Sequence, residues 1–237
     1  MQPRTLPAPF LVLALCACGP KAIRADDFKP EPGYKSLFNG THLSGWRYGK
    51  EDLRGKTETP DRRFTLKDGI IVAEEGKGIK VLDTVEEFNS GFDLKLEFRA
   101  SLKSDSGVYV RGPQLQVRDF IRRGEQKHLE GVFKNDDWNE LQITVAPPAF
   151  AATVNGNLLP PTDAIEMTFK DGKPTLKVNG RETEFASLSV AKESRAVCKI
   201  NGVQFDPSYK PGPKGSIGLQ AETGKFEFRR IRVKTLE

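Results

Sequence analysis

The chain has 237 residues, 37 % of them hydrophobic and 29 % charged, with a formal net charge of +5. That length suits one all-β domain of ordinary size, and no internal run approaches the ~20 apolar residues that span a bilayer. Arg4, Lys21 and Arg24 carry most of the excess charge: beyond residue 25, 34 basic residues face 32 acidic ones, too even a balance for a nucleic-acid surface.

The N-terminus is set apart. Arg4 precedes an apolar run from Leu6 to Cys18, followed by small residues, the pattern of an export signal. Residues 1–25 are therefore expected to be a signal peptide, with cleavage after Ala25. Leu15-Cys16-Ala17-Cys18 loosely fits a lipoprotein box and offers lipid anchoring through Cys18 as the alternative. Either way the mature chain is periplasmic or extracellular and has no transmembrane span. Residues 26–33 are polar and Pro-containing and read as a linker; the domain occupies 34–237. Cys198 is the one cysteine of that body, so no intramolecular disulfide framework exists there, and it is expected to be a buried small hydrophobe.

Along the domain, Leu37-Phe38 leads to an Asn39-Gly40 turn, and 47–63, charged and without periodicity, reads as an exposed loop. Phe64–Lys67 and Ile70–Val72 flank Asp68-Gly69 as a hairpin. Phe92–Arg99 alternates apolar and charged residues strictly, the pattern of a half-buried antiparallel strand. Strands follow at about 107–111 and 114–119, then a polar loop over 121–137. Leu141–Val145 and Phe150–Val154 are expected to pair through Pro147-Pro148, and Asn155-Gly156 turns the second strand back. One or two further hairpins are expected in 160–214. The last strand, 225–233, alternates apart from a one-residue slip at Arg229-Arg230. Many short strands, 22 glycines and 16 prolines, and no long helix predict an all-β jelly-roll sandwich.

One stretch carries chemistry. Ser104-Asp105-Ser106-Gly107-Val108-Tyr109-Val110-Arg111-Gly112 runs into Gln114-Leu115-Gln116-Val117-Arg118-Asp119. Gln114 and Gln116 fall on one sheet face at period two, and a face lined with Arg, Gln and Asp suits a polyhydroxylated ligand better than a core. Glu97 reads as a general base or ligand, or as a solvated charge paired with Arg99 or Lys95. Arg111 reads as a hydroxyl clamp, or as a salt-bridge partner of Asp119 or Glu97. Trp46 and Trp138 are core aromatics or, for Trp138, a sugar platform. His42 and His128 lack metal-ligand spacing. No Glu-x-Asp-x-x-Glu strand is present, which speaks against two-carboxylate glycoside hydrolysis.

These pieces, taken in order, resemble a known family. Leu37-Phe38-Asn39-Gly40, Leu43-Ser44-Gly45-Trp46, Asp68-Gly69-Ile70, Leu82 with Thr84, Phe92-Asp93-Leu94 with Glu97-Phe98-Arg99, Ser106-Gly107-Val108 with Arg111, Gln116-Val117 with Asp119, Trp138-Asn139, Asn155-Gly156 and Gly218-Leu219-Gln220 with Phe228-Arg229-Arg230-Ile231 together look like the 3-keto-disaccharide hydrolase domain. The resemblance implies a concanavalin A-like jelly roll acting on sugars oxidised to a ketone at carbon 3. The ketone acidifies the carbon-2 proton, a base removes it, the anomeric substituent leaves by elimination, and water adds back. A divalent metal ion, of unknown identity, would serve as electrophile in such a scheme. Two positions depart from the family pattern: Gln114 stands where Glu is usual, and Ala221-Glu222-Thr223-Gly224 stands where a His followed by Gly is usual. The resemblance implies Glu97, Arg111 and Asp119 as catalytic residues and Gln114, Gln116, Glu222 and Trp138 as substrate contacts. It leaves two functions open, a hydrolase of 3-keto-glycosides with Glu97 or Asp119 as base, and a non-catalytic carbohydrate-binding module. A surface domain that meets another protein is the third.

Overall fold

Period-two alternation dictates the architecture, because each strand with one apolar face must bury it against another such face. The computed structural model describes residues 28–147, 149–160, 163–170 and 173–236. The expected signal peptide and its cleavage and anchoring sites lie outside the described residues. Among the described residues, no helix is long and apolar enough to cross a membrane.

The N-terminal half supplies β1 (Lys35–Ser36), β2 (Trp46–Tyr48), β3 (Glu51–Asp52), β4 (Phe64–Lys67), β5 (Ile70–Ala73), β6 (Lys80–Thr84), β7 (Phe92–Ala100), β8 (Asp105–Val110) and β9 (Gln114–Arg118). The central β10 (Asn139–Val145) precedes an insertion of β11 (Ala149–Val154), β12 (Asn157–Leu158), β13 (Ile165–Lys170), β14 (Lys173–Val178), β15 (Arg181–Thr183) and β16 (Leu188–Glu193). The chain returns through β17 (Ala196–Ile200), β18 (Val203–Phe205), β19 (Ile217–Ala221) and β20 (Phe226–Thr235).

An eight-stranded antiparallel sheet, β18-β17-β10-β7-β20-β5-β4 with β1 also on β20, faces a six-stranded sheet, β3-β2-β6-β19-β8-β9. This is the expected jelly-roll sandwich. The insertion forms two three-stranded sheets of its own, β12-β11-β16 and β13-β14-β15, matching the expected extra hairpins. Leu94, Leu96 and Phe98 of β7 meet Val108, Val110, Leu115, Val117 and Leu219 in one core, all fully buried. Phe98 stacks on Phe226 with ring centroids 5.5 Å apart. Trp46 is wholly buried and its indole N–H donates to the Leu37 carbonyl at 2.9 Å. Cys198 is buried too, and burial pushes its thiol up to about 12.

Two expectations fail here. The 47–63 segment is not simply an exposed loop. Arg47 and Tyr48 continue β2, Leu53 and Thr59 are buried, and the Arg63 guanidinium is satisfied by the carbonyls of Glu74, Lys77, Gly78 and Ala221 at 2.9–3.1 Å. Charge density concealed this, since a buried arginine saturated by backbone oxygens reads in sequence as a surface residue. Nor does β10 pair with β11. Both edges of β10 are occupied, by β7 and β17, so β11 pairs with β12 and β16.

The slip at Arg229-Arg230 is a β-bulge. The register of β20 on β7 shifts between Arg229 and Arg232, and Arg230 takes a positive φ of 51°. On its other edge β20 pairs with β5 before the bulge and with β1 after it.

The outer face of the eight-stranded sheet is a lattice of charges that satisfy one another. Glu97 accepts from Arg229 Nε at 2.7 Å and Arg230 Nη1 at 2.8 Å. Arg99 Nε donates to Glu227 at 2.5 Å. Trp138 lies under both Arg229 and Arg99, 3.8 and 4.8 Å from its ring centroid. Asp93 accepts from Tyr34, Gln142 and Thr144. Residues 28–33, expected as a linker, dock on this face: Glu31 accepts from Arg232 Nε at 2.6 Å and Nη2 at 2.8 Å, and Phe28 lies beneath Arg230 and Arg232.

Two measurements check this lattice. The hydrogen bond from Arg232 is the main reason the Glu31 carboxyl is held near about 2, below its ordinary 4.5. Because the folded value is the lower one, the pair stabilises fully above pH 4.5 and the contribution is lost as pH falls toward 2. Glu31→Gln is therefore expected to flatten the stability profile over that interval, and parallel acid losses in both proteins would refute the pairing. Glu97→Gln is expected to lower unfolding stability by about 2 kcal/mol, since it weakens two charge-assisted hydrogen bonds. An unchanged denaturant midpoint would contradict that role.

Candidate functional site

The six-stranded sheet carries a different outer face. Leu82 and Thr84 of β6, Ile217 and Leu219 of β19, and Val108 and Val110 of β8 are buried, so alternation sends Asp83, Gly218 and Tyr109 to the opposite side. Register lines them up. Asp52 faces Arg47, Arg47 faces Asp83, Asp83 faces Gly218, Gly218 faces Tyr109, and Tyr109 faces Gln114. Neighbouring strands lie about 4.8 Å apart, so the row crosses the sheet with a side chain at every strand except β19.

Glycine at 218 is required by close packing, because Asp83, Val81 and Tyr109 close over it. A Cβ there would stand 2.7 Å from Asp83 Oδ1, 2.7 Å from Val81 Cγ1 and 3.2 Å from Tyr109 Cβ. Glycine at 107 has a related purpose. A Cβ there would meet Gln114 Cγ at 2.7 Å, whereas without it Gln114 arches across β8 and its amide donates to Gln220 Oε1 at 2.6 Å. Gln220 is fully buried and its Nε2 has no partner among the described residues; Arg47 Nε is likewise buried and unpaired. Gln116 donates to Asp105, which also accepts from Arg118 Nε at 2.9 Å. Asp105 is thus a buried structural acceptor.

The electrostatics of this face are those of partly dehydrated acids. Burial raises the Asp83 carboxyl above its ordinary value, against the pull of a Ser216 hydroxyl at 3.1 Å and of Arg47. Burial raises the Tyr109 hydroxyl as well, and the negative charges of Glu222 and Asp83 add to it. Glu222 has no hydrogen bond or ion pair among the described residues.

Of the residues expected to form one site, Gln114, Gln116 and Glu222 share this face and the others do not. Glu97 and Trp138 belong to the outer face of the other sheet, across the core, where both are engaged by arginines. Arg111 and Asp119 lie at opposite ends of the β8–β9 hairpin, about 17 Å apart along a strand of that length. Arg111 is buried in a left-handed turn with φ 57°; it donates to Ser90 O and to Ser194 Oγ and covers the Phe92 ring. It fastens the end of the insertion to the sandwich. Asp119, fully buried, accepts from Lys103 N at 2.7 Å and Arg122 Nε at 2.6 Å, and so holds the loop after β9 against the turn before β8.

Sequence reasoning missed Arg47, Asp83, Tyr109 and Gln220. Tyr109 and Gln220 stand inside quoted motifs, and Asp83 sits between Leu82 and Thr84. Their parity relative to buried neighbours was the available signal. A cavity of about 1080 Å³ opens in the insertion between Asn155 and residues 174–176 and 182–187, but none of the expected site residues borders it. The chemistry is on the sheet face. Its carboxylates and glutamine amide oxygens are hard donors of the kind that suit calcium, magnesium or manganese, while no group of three or more His, Cys, Asp or Glu side chains converges among the described residues.

No functionally curated protein matches the chain. Among solved structures it is similar to a proposed glycosyl hydrolase from Parabacteroides distasonis ATCC 8503, with 18 % identity and a TM-score of 0.54 over 86 % of this chain and 84 % of that one. A second proposed glycosyl hydrolase from that organism gives 17 % identity and a TM-score of 0.46 over 86 % and 94 %. The carbohydrate-binding module CBM66 from Bacillus subtilis gives 7 % and 0.31 over 86 % and 96 %. The first likeness is one of fold. The family model of the 3-keto-alpha-glucoside-1,2-lyase-like domain matches residues 33–234, nearly the whole described sandwich, and the chain belongs to that family.

Proposed function

We propose that this chain is an exported carbohydrate-active protein that cleaves 3-keto-glycosides on the polar face of its six-stranded sheet, by base-assisted elimination followed by hydration. One observation carries the reading: Arg47, Asp83, Tyr109 and Gln114 stand in one cross-strand row on a polar sheet face, with the Gln220 amide and the Glu222 charge beside it. Family membership supports the substrate class, and the apolar run after Arg4 supports export.

The arrangement suits the chemistry. Amide and guanidinium donors recognise ring hydroxyls and a carbonyl oxygen, and Arg47 places a fixed positive charge where an enolate oxygen would develop. Asp83 and Glu222 are the carboxylates available to take a carbon-bound proton, because Glu97 is engaged by two arginines on the opposite sheet and Asp119 is fully buried, with its Oδ2 held by Lys103 N and Arg122. A glycoside-binding module without turnover is the second reading. Gln114 favours it, since an amide is neither a base nor a strong ligand where the family usually has a carboxylate.

Release of free sugar from a purified 3-keto-disaccharide, followed with and without added calcium, manganese or zinc, separates the two. Turnover is expected. Gln114→Ala is expected to raise KM about tenfold, equivalent to about 1.4 kcal/mol for a lost hydrogen bond. Binding without release under every condition would leave the module reading, and neither binding nor release would refute both.

A further inference from the structure

We infer that β13 is a docking edge for a second copy of this chain: the open edges of two β13 strands pair antiparallel about Thr168 and join two insertions into one continuous sheet. Seven large hydrophobic side chains are exposed among the described residues. Ile79, Val85, Leu102 and Val197 come from four separate segments, whereas Ile165, Met167 and Phe169 recur at period two along β13 and are 36 %, 44 % and 72 % exposed. Alternation puts these three on one sheet face, beside their register partners Val178, Leu176 and Pro174 of β14. An exposed apolar row of this kind marks an interaction surface.

The same three residues carry open backbone groups. β13 stands at the end of the order β13-β14-β15, so one of its edges has no strand beside it among the described residues. Asn179 N donates to Ala164 O at 2.8 Å, which sets the parity. Even positions of β13 turn their N–H and C=O groups toward β14, and Ile165, Met167 and Phe169 turn theirs to the open edge. Edge strands are ordinarily blunted by brevity, proline, a covering element or charge. β13 runs for six residues, Ile165–Lys170, without proline, and residues 165–169 are all exposed. Charge is the remaining protection, and here it is complementary to itself.

That complementarity selects a second copy as the occupant and fixes the register. A two-fold axis at Thr168 sets Met167 of one copy opposite Phe169 of the other, and Glu166 of one copy opposite Lys170 of the other, each pair occurring twice. Positions 167 and 169 turn outward, so they form the mutually hydrogen-bonded pairs across the new junction. Positions 166 and 170 then fall at non-hydrogen-bonded pairs, where facing residues come closest. Moving the axis to Met167 sets Glu166 opposite Thr168 and loses both charge pairs. With apolar residues at 165, 167 and 169, an acid two positions before Thr168 and a base two positions after it, β13 is its own partner. The joined sheet has the order β15-β14-β13-β13-β14-β15, and its apolar face runs unbroken across the junction.

Sedimentation velocity of the full mature protein across a concentration series up to about 300 μM is the test, with dimers expected at a dissociation constant of about 10–100 μM because one short edge makes a small interface. Glu166→Lys sets lysine opposite lysine at both charge pairs, and Lys170→Glu sets glutamate opposite glutamate. Each is expected to weaken self-association at least about tenfold. An equimolar mixture of the two variants sets lysine opposite glutamate at both places, and is expected to restore dimers within about threefold of wild type. Met167→Pro removes an outward N–H and spares the β14 ladder, so it is expected to abolish association. Thermal unfolding midpoints equal to that of wild type show that the charge variants fold. A wild type that is monomeric at about 300 μM overturns the inference; should that monomer sediment with anionic phospholipid vesicles, the apolar row belongs to a lipid surface instead. Charge variants that associate like wild type, or a mixture that stays monomeric, overturn the pairing about Thr168. A folded Met167→Pro variant that still dimerises places the contact elsewhere and overturns it as well.

Discussion

Everything in this sandwich depends on β19 being buried on both faces. Ile217, Leu219 and Ala221 close the core from the six-stranded side, and Gly218 and Gln220, equally inaccessible, form the floor of the opposite face. A strand in that position has little freedom. Its inward residues must be apolar, and an outward polar group must find a partner or remain costly. Gln220 meets the condition by half: its Oε1 accepts from Gln114, and its Nε2 has no described partner. Gly218 meets it by having no side chain. The glycine and the buried amide beside it thus follow from one strand hemmed in between β6 and β8.

The two outer faces show how similar compositions produce different chemistry. On the eight-stranded sheet, acids and arginines alternate across strands and neutralise one another at 2.5–2.8 Å, and the segment from Phe28 to Tyr34 lies over part of the array. Such pairs hold elements together and leave little free capacity to act on a ligand. On the six-stranded sheet the acids outnumber their cations: Arg47 is the single cation of the central row, while Asp52, Asp83 and the nearby Glu222 are acidic. Burial makes the Asp83 carboxyl among them hold its proton more tightly than an ordinary one.

The residues that the family pattern made most conspicuous, Arg111 and Asp119, are joints. Arg111 ties the end of β8 to the insertion, and Asp119 ties the end of β9 to the turn that precedes β8. They hold the β8–β9 hairpin at both ends, and that hairpin presents Tyr109, Gln114 and Gln116. Their contribution to the site is the position of its outer wall.

Much of this was legible in the residues themselves. Alternation in Phe92–Arg99 predicted β7 and its buried side, the one-residue slip at Arg229-Arg230 falls where the structure has its bulge, and Asn155-Gly156 predicted a turn, because all three are local consequences of backbone geometry. Period two also placed Gln114 and Gln116 together. It had no means of placing Glu97 beside them or apart from them, since alternation assigns a residue to a face and says nothing of which sheet the face belongs to. Only long-range pairing decided that β7 and β9 lie in opposite sheets, that β10 has no free edge for β11, and that Asp83, Gly218 and Tyr109, distant in the chain, stand in one row. Local alternation in the residues was enough for the longer strands, their inward sides and the family. The tertiary structure decided which polar residues are neighbours, because cross-strand register between distant segments is a property of the assembled sheet.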